Sequence, residues 1–233
     1  MRFVSFNTRH CEHFVSRRID FDAVAQVILD LEADVVGLNE IRGEGPHPDY
    51  TAQTEALAER TGMPYFYFAE ALQLPQGRYG NAILSRIPIL HAETVMIPDP
   101  ITPRVKSRTY ETRCVLRAEL EGGITVLVTH FGLNPDEKEN AAATVLSQLT
   151  ERRCVLMGDF NVLPDSTVLE GIRARMRDSA DVCSQPLLSF PSNRPDRKID
   201  YLFVSPDVRV CDAAVPQIVV SDHCPYVATL DFA

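Results

Sequence analysis

The chain contains 233 residues, of which 45% are hydrophobic and 24% are charged, as is typical of a soluble globular protein. Its formal net charge of −9 argues against tight, sequence-independent binding to DNA, which depends on many lysine and arginine contacts to phosphates. No segment has the length of a membrane span, and the N-terminal MRFVSFNTRH becomes polar too early for a signal peptide. We therefore expect a cytoplasmic monomer that forms a single domain over residues 1–233.

Six cysteines are scattered along the chain without close paired spacing, which argues against a zinc site. Cys114, Cys154 and Cys211 lie in or beside apolar runs, where cysteine usually acts as a small core residue. We expect reduced thiols in a cytosolic protein, although spacing alone leaves a disulfide open.

The first half of the chain alternates apolar runs of strand length with segments whose apolar residues recur at helical spacing. Gly62 is a natural C-terminal cap for the second helical segment, which ends at this residue. The predicted elements are a strand at 2–7, a helix at 17–31, a buried strand at 33–38 that leads to Glu40, a helix at 51–62, and strands at 64–69, 80–85 and 87–95.

The second half contains a clear hairpin signal, the tripeptide Glu121-Gly122-Gly123 between two apolar runs. The predicted elements are strands at 112–120 and 124–129, a helix at 137–150, and strands at 154–157, 199–204, 208–213 and 226–230. Strands that mix hairpins with helical crossovers predict an α/β fold in which two mixed sheets pack together and are covered by helices.

Four short polar clusters follow apolar, strand-like runs. They are Asn7 in SFNTRH, Glu40 in VVGLNE, Asp159 and Asn161 in MGDFN, and Asp222-His223 in VSDH. Because an α/β fold gathers side chains at the ends of its strands, we expect these clusters to share one pocket. Their carboxylates, amides and imidazole suit a hard divalent metal, such as magnesium, that faces a phosphate ester.

Glu40 is the first candidate metal ligand, because a lone carboxylate after a buried strand is costly unless it is paired or bound to a cation. The alternative is a helix cap or an exposed loop acid. Asn7 is a candidate oxygen ligand or an amide that orients the water on the metal, and a turn residue is its alternative. Asp222 is the third candidate on the metal side.

Asp159 and Asn161 alternate along a short extended segment, so both side chains can face the same side of the sheet. Asp159 could bind metal or position the attacking water, and Asn161 could donate to a non-bridging phosphate oxygen. An ordinary turn is the alternative for this GDFN sequence.

His223 is a candidate general base or charge stabiliser, because an unperturbed histidine has a pKa of about 6.5. Asp200, an acid within an apolar run, is the candidate that orients this imidazole, with an ion pair to Arg197 or Lys198 as the alternative. His130, just beyond a predicted strand, is a candidate second imidazole for transition-state charge or else a structural histidine.

The chain resembles the endonuclease/exonuclease/phosphatase superfamily, which includes DNase I, abasic-site endonucleases, inositol polyphosphate 5-phosphatases and bacterial sphingomyelinases. The resemblance covers essentially the whole chain. It is carried, in order, by SFN, LNE, YGNAILSRIPI, ETR, VTHF, MGDFN, RKIDYLFVS and VSDHCP.

The resemblance implies a DNase I-like four-layer sandwich and a magnesium ion, with manganese as a possible substitute. It further implies the role of each candidate: Glu40 as metal ligand, Asn7 in its support, Asp222 completing the metal side, Asp159 and Asn161 beside the attacking water and the phosphate, Asp200 orienting His223, and His130 as the second histidine of DNase I-like members.

Asn81, in YGN, and Arg113, in ETR, match bacterial relatives and are implied to shape the phosphate pocket. Packing at a strand turn is the alternative for Asn81, and a surface ion pair is the alternative for Arg113. Basic residues that could also hold a phosphate, or form solvated faces, are Arg104, Lys106, Arg108, Arg194, Arg197 and Lys198.

The chain departs from the family pattern at two positions. Asn39 stands where the family usually has glutamine. The carboxylate of Glu40 is kept, but the amide side chain before it is shorter. Arg9 stands where abasic-site endonucleases carry an acid, which argues against a second metal subsite there and against abasic-site repair. The run from His10 to His13 is interpreted as a loop at the rim of the pocket, with a separate metal site as its alternative.

We expect a magnesium-dependent phosphoric ester hydrolase that uses in-line attack by an activated water, with His223 or Asp159 as the base. The short, acidic chain favours a small phosphorylated metabolite or a lipid-derived head group, as phosphomonoester or phosphodiester, over long DNA. A nonspecific nuclease acting on DNA or RNA is the alternative enzyme. A catalytically inactive binding module is the other alternative, and the filled set of site positions argues against it.

Overall fold

Two six-stranded β-sheets lie at the centre of the computed structural model, which describes residues 1–101 and 109–232. Arg104, Lys106 and Arg108 therefore lie outside the described residues. The first sheet contains, in spatial order, β11 (Arg209–Ala214), β12 (Tyr226–Asp231), β1 (Arg2–Asn7), β2 (Val35–Arg42), β4 (Gly77–Ser85) and β3 (Tyr65–Leu74). The second contains β5 (Ile89–Met96), β6 (Cys114–Leu120), β7 (Ile124–His130), β8 (Cys154–Asp159), β10 (Asp200–Val204) and β9 (Arg177–Asp178).

Each sheet is mixed and contains a parallel pair of strands near its middle. In the first sheet β1 and β2 are parallel, with Asn7, the last residue of β1, beside Asn39 of β2. In the second sheet β7 and β8 are parallel, with His130 beside Asp159. Asp200, the first residue of the antiparallel strand β10, is also the partner of Asp159. The register thus places polar residues from several central strands near the same end of those strands in each sheet.

Apolar side chains from both sheets fill the space between them, including Phe3 from β1 and Met157 from β8. The helices cover the two outer faces. They are α1 (Phe21–Asp30), α2 (Gln53–Thr61), α3 (Pro135–Gln148) and α4 (Glu170–Arg173). Ile28 and Leu57 pack on the first sheet, and Val145 packs on the second. This order of layers confirms the predicted α/β sandwich. None of the helices in the described ranges is long and apolar enough to cross a membrane.

The predicted elements are present, but several of their ends differ. The first helix begins at Phe21 instead of residue 17, because the Asp20 side chain caps it by accepting the Ala23 N–H at 2.9 Å. Strand β2 continues past Glu40 to Arg42 after an irregularity in its pairing with β4. The strand predicted at 64–69 extends to Leu74 and pairs with β4 as a hairpin that the apolar pattern did not predict.

Candidate active site

The two sheets meet at the side chain of Asn7, which is fully buried at the end of β1. Its Nδ2 atom donates to Oε1 of Glu40 and to Oδ2 of Asp159, each at 3.1 Å. Its Oδ1 atom accepts the backbone N–H of Arg9 at 3.1 Å. One amide therefore connects a carboxylate of the first sheet to a carboxylate of the second. In this arrangement Asn7 orients both carboxylates, and its oxygen is already hydrogen-bonded.

His223 lies on the other side of Asp159 and is held by a buried acid. Its Nδ1 atom lies 2.8 Å from Oδ2 of Asp200, which also accepts the hydroxyl of Ser189 at 2.6 Å. Because a carboxylate accepts, Nδ1 of the imidazole carries the proton. Its Nε2 atom then faces Oδ2 of Asp159 at 3.6 Å. The orienting pair expected for Asp200 and His223 is present, and Arg197 instead bonds to Asp196.

His130, at the end of β7, approaches the same carboxylate oxygen. Its Nε2 atom lies 3.5 Å from Oδ2 of Asp159, and its Nδ1 atom lies 3.1 Å from Arg113. Since arginine can only donate, Nδ1 of His130 accepts and the ring proton resides on Nε2. Arg113 is held in turn by Glu111 at 2.6 Å. Oδ2 of Asp159 is thus surrounded by three nitrogen atoms, from Asn7, His130 and His223.

Burial and neighbouring charges change the pKa values of these groups in opposite directions. Burial raises the pKa of Asp159 to about 7, although the nearby His223 opposes the shift. Burial alone would lower the pKa of His223, but the carboxylates of Asp200 and Asp159 outweigh it and raise the pKa to about 10. Burial, together with Arg113, holds the pKa of His130 well below its usual value. At neutral pH, His223 is therefore the charged imidazole and His130 the neutral one.

Several residues of the site have unusual backbone conformations. Glu40 has a φ of 60° and Asn161 has a φ of 51°, both in the left-handed region that non-glycine residues seldom adopt. Gly158 has a φ of 146°, and a Cβ atom there would overlap the carbonyl oxygen of Thr129 on the neighbouring strand. Strain of this kind concentrates at functional sites, where surrounding contacts hold it in place.

Asn161 is half-buried beside Asp159. Its backbone N–H donates to Oδ1 of Asp159 at 2.9 Å, and its Nδ2 atom donates to the carbonyl of Phe131 at 3.1 Å. The amide nitrogen has a second hydrogen with which it can donate to a phosphate oxygen. The geometry is therefore compatible with the predicted role of Asn161.

Asp222 lies at the rim of the site. Its Oδ2 atom is 3.9 Å from Nε of Arg9, and its Oδ1 atom accepts the hydroxyl of Ser221 at 3.2 Å. Burial raises the pKa of Glu40, and the charge of Asp222 raises it further, so the two acids lie close enough to repel each other. A cation between them would relieve this repulsion.

The amide of Asn39, which in the sequence is only a shortened glutamine, makes three hydrogen bonds within the site. Its Oδ1 atom accepts the backbone N–H of Asp159 at 3.0 Å. Its Nδ2 atom donates to the carbonyl of Thr129 at 2.9 Å and to Oδ1 of Asn81 at 2.8 Å. Asn39 is fully buried and joins the strands that carry Glu40, His130 and Asp159. Its position beside a ligand candidate at a strand end was the available signal.

Asn81 lies behind Asn39 and not in the space around Asp159. It is 3% exposed, and its Nδ2 atom donates to the carbonyl of Cys114 at 3.1 Å while its oxygen accepts from Asn39. Both polar atoms are thus used within the protein, which agrees with the alternative of packing at a strand. The geometry gives no support to a direct contact between Asn81 and substrate. Arg113, in contrast, contacts His130 directly and is buried, which differs from a surface ion pair.

The donor atoms of the site fit a divalent metal in their chemistry. Within residues 1–101 and 109–232, no group donates a hydrogen bond to Oε2 of Glu40, and Asp222 offers a second carboxylate nearby. Asp159, Asp200 and His223 also form a group whose potential ligand atoms lie within 4.8 Å of one another. Asp200 and His223 already bond to each other in that group, whereas Oε2 of Glu40 accepts no hydrogen bond from the described part of the chain. Oxygen donors on that side match the preference of magnesium and manganese.

Comparison with known proteins identifies the family. A sequence profile described as the Endonuclease/Exonuclease/phosphatase family matches residues 4–223, and the chain belongs to this family. An Escherichia coli K12 relative, the uncharacterized protein YbhP, is 26% identical over 242 residues, which cover 92% of this chain and 90% of the relative. Family membership supports a hydrolase of the phosphoesterase type.

Three solved structures illustrate the shared fold. An endonuclease/exonuclease/phosphatase from Beutenbergia cavernae has a TM-score of 0.79 and 22% identity, covering 100% of this chain and 72% of that one. The Bacteroides thetaiotaomicron mannosyl-6-phosphatase Bt3783 has a TM-score of 0.77 and 19% identity, with 100% of both chains covered. D. rerio TDP2, complexed with a single-strand DNA product, has a TM-score of 0.72 and 18% identity, covering 99% and 98%. These similarities confirm the DNase I-like sandwich.

Proposed function

We propose that this family member is a metal-dependent phosphoesterase that hydrolyses a small phosphorylated metabolite or a lipid-derived head group. The observation that carries the proposal is the convergence of His223, His130 and Asn7 on one oxygen of Asp159. A buried carboxylate surrounded by nitrogen donors, with a second carboxylate at Glu40, can hold a water molecule and a phosphate together.

Asp159 is the group that we propose accepts the proton of the attacking water. A pKa of about 7 makes it a stronger base than an ordinary aspartate and leaves much of it ionised at neutral pH. His223, with a pKa raised to about 10, is already protonated under the same conditions. It therefore stabilises negative charge on the phosphoryl group, and Asp200 keeps its Nε2–H pointed into the site.

His130 and Asn161 are the proposed uncharged donors to the phosphoryl oxygens. His130 presents its Nε2–H because Arg113 occupies its other nitrogen. Asn161 has one amide hydrogen free of its bond to Phe131. Donors fixed before the reaction stabilise charge as it develops without having to reorganise.

Glu40 and Asp222 are the proposed metal ligands, and Asn7 orients Glu40 instead of binding the ion. When bound, magnesium or manganese would offset negative charge on the phosphoryl oxygens and the leaving group. Arg9, which lies near Asp222, occupies the place of the acid on which a second metal subsite would depend.

The net charge of −9 favours small substrates over long nucleic acids. At the rim, Arg9 lies within 4.0 Å of both Asp222 and Glu12, so its charge is partly offset by acids. The similarity to a mannosyl-6-phosphatase supports a phosphorylated small molecule, and the similarity to TDP2 bound to single-strand DNA favours the nuclease as the second candidate.

Hydrolysis of a substrate panel tests the proposal. The panel contains phosphomonoesters, phosphodiesters, phospholipid head groups and plasmid DNA, each incubated with magnesium, manganese or EDTA. We expect metal-dependent cleavage of small substrates that is lost in Glu40→Gln and retained in Glu59→Gln, an exposed acid on α2 that serves as the matched control. Cleavage of DNA alone, weakened steeply by salt, would favour the nuclease. No turnover and no metal binding would favour the binding module.

A further inference from the structure

A third imidazole, that of His10, faces the metal side of the site. Its Nδ1 atom lies 3.5 Å from Oε2 of Glu40, the carboxylate oxygen that Asn7 does not contact. The Nδ1 atom is shielded from solvent and has no hydrogen-bond partner among the described residues. A distance of 3.5 Å is beyond the normal range of an N–H···O hydrogen bond. The two facing atoms are therefore close to each other but not bonded.

The backbone of His10 is held firmly in this position. Arg9, His10 and Cys11 have φ values of 49°, 52° and 60°, so three successive non-glycine residues adopt the left-handed conformation. Gln53, which is fully buried, donates to the carbonyl of His10 at 2.9 Å and accepts the N–H of Arg42 at 2.9 Å. Arg42 lies two residues after Glu40 on β2. Gln53 thus connects the backbone of His10, by hydrogen bonds, to the strand that carries Glu40.

We propose that Nδ1 of His10 is a direct ligand of the divalent metal that Glu40 binds, an inference that rests on the proposed function. Adjacent ligands of a six-coordinate ion, at about 2.1 Å from the metal, lie about 3 Å apart. The 3.5 Å separation of His10 Nδ1 and Glu40 Oε2 is within about 0.5 Å of this value. An ion between these atoms would satisfy both of them.

A nitrogen ligand changes which metal the site prefers. Imidazole suits transition metals such as cobalt, nickel and zinc, whereas magnesium is bound through carboxylates, carbonyls and water. With His10 added to Glu40 and Asp222, the site contains nitrogen as well as oxygen donors. We therefore expect manganese to bind more tightly than magnesium, because affinity for mixed donor sets rises from magnesium to the first-row metals.

The alternative is that His10 only packs against its surroundings. Its ring centroid lies 6.1 Å from that of Tyr79, at an interplanar angle of 57°. A purely packing role would leave the relative affinities of the two metals unchanged when the imidazole is replaced. His10→Asn distinguishes the roles, because asparagine tolerates the left-handed conformation and substitutes an amide for the ring nitrogen.

Binding of Mg²⁺ and Mn²⁺ alone is measured by calorimetry for the wild type, His10→Asn and the exposed control His47→Asn. We expect the Mn²⁺ affinity of His10→Asn to fall at least tenfold, the Mg²⁺ affinity to fall less than threefold, and the control to match the wild type. Equal losses for both ions, or no loss, would overturn the proposal while leaving the hydrolase intact. Failure of the wild type to bind either ion would overturn both proposals.

Pulsed electron paramagnetic resonance of the Mn²⁺-loaded wild type provides a second, independent measurement. We expect ¹⁴N coupling from a directly bound imidazole, and its loss in His10→Asn. Absence of ¹⁴N coupling in the wild type would overturn the proposal without reference to any variant. Coupling that persists in His10→Asn would also overturn it, since the nitrogen would then belong to another residue. Neither measurement depends on substrate hydrolysis. A lack of enzymatic activity would therefore bear on the proposed function and not on the proposed role of His10.

Discussion

The Nδ1 atom of His223 lies 2.8 Å from Oδ2 of Asp200, and this bond joins two residues that are 23 positions apart in the chain. Asp200 begins β10, where it lies beside Asp159 on β8, while His223 is in the segment that precedes β12. Ser189 donates to the same Asp200 oxygen at 2.6 Å and fixes the carboxylate. The imidazole is consequently held in one orientation towards Asp159, with a proton fixed on Nδ1.

Asp200→Asn should lower kcat/KM by about a thousandfold, because the ring of His223 loses the carboxylate that favours its charged form, and the amide can then present its N–H to the neutral ring and stabilise the wrong tautomer. The amide also removes a negative charge that raises the pKa of His223. We therefore expect NMR titration to show a lower His223 pKa in the variant than the value of about 10 in the wild type. Asp212→Asn, at an exposed position on β11, is the control and should change neither measurement.

Asp159→Asn should reduce turnover by several orders of magnitude and leave the fold intact. The substitution removes the proposed base while keeping the size of the side chain, and it also removes a buried charge. In the wild type, kcat/KM should rise with pH as Asp159 ionises, through a pKa of about 7 that burial sets. This rise should be absent from the residual activity of Asp159→Asn, with circular dichroism used to verify the fold. Near-normal rates in the variant would remove Asp159 from its assigned role.

The stability of the metal-free protein should depend on His223 in alkaline solution. The pKa of His223 is about 10 in the folded state and about 6.5 when unfolded, so its contribution is fully present below pH 6.5 and is lost as pH rises through 10. Between pH 7 and 10, the wild type should therefore lose free energy of unfolding faster than His223→Gln, by at most about 1.4 kcal/mol per pH unit. The free energy of unfolding is measured by urea unfolding in EDTA for both proteins at several pH values. If it changed with pH equally in the wild type and in His223→Gln, the raised pKa of His223 would be contradicted.

Much of the fold could be predicted from the sequence because its signals are local. The apolar run of β2 and the glycines between β6 and β7 specify a strand and a hairpin without reference to distant residues. Gly62 ends α2 in the left-handed conformation, with a φ of 61°, as its position predicted. The start of α1 was misplaced because helical spacing extends past the cap at Asp20, whose effect depends on its own side-chain rotamer.

The candidate site was predictable in its residue types but not in its hydrogen bonds. The apolar, strand-like runs beside them located Glu40, Asp159 and His223, since a buried polar group without a partner is energetically unfavourable. In the fold, β2 continues past Glu40, and the apolar run before His223 is not a strand. The direction of an amide depends on contacts between the sheets, and sequence spacing carries no information about these contacts. For this reason the sequence leaves open whether Asn81 shapes the phosphate pocket or packs at a strand turn, whereas the fold shows that its two polar atoms bond within the protein. The left-handed turn that places His10 beside Glu40 was likewise not predictable from composition.

Asn39→Ala should test whether one buried amide positions the carboxylate of Asp159, the proposed base. The variant leaves the N–H of Asp159, the carbonyl of Thr129 and the oxygen of Asn81 without this partner in a dry interior. Each unsatisfied buried group costs about 1–3 kcal/mol, so we expect a loss of at least about 3 kcal/mol in urea unfolding. Activity should fall as well, because Asp159 loses its backbone anchor. The exposed Asn193→Ala should change stability by less than about 0.5 kcal/mol, and an equal effect of both variants would refute the special position of Asn39.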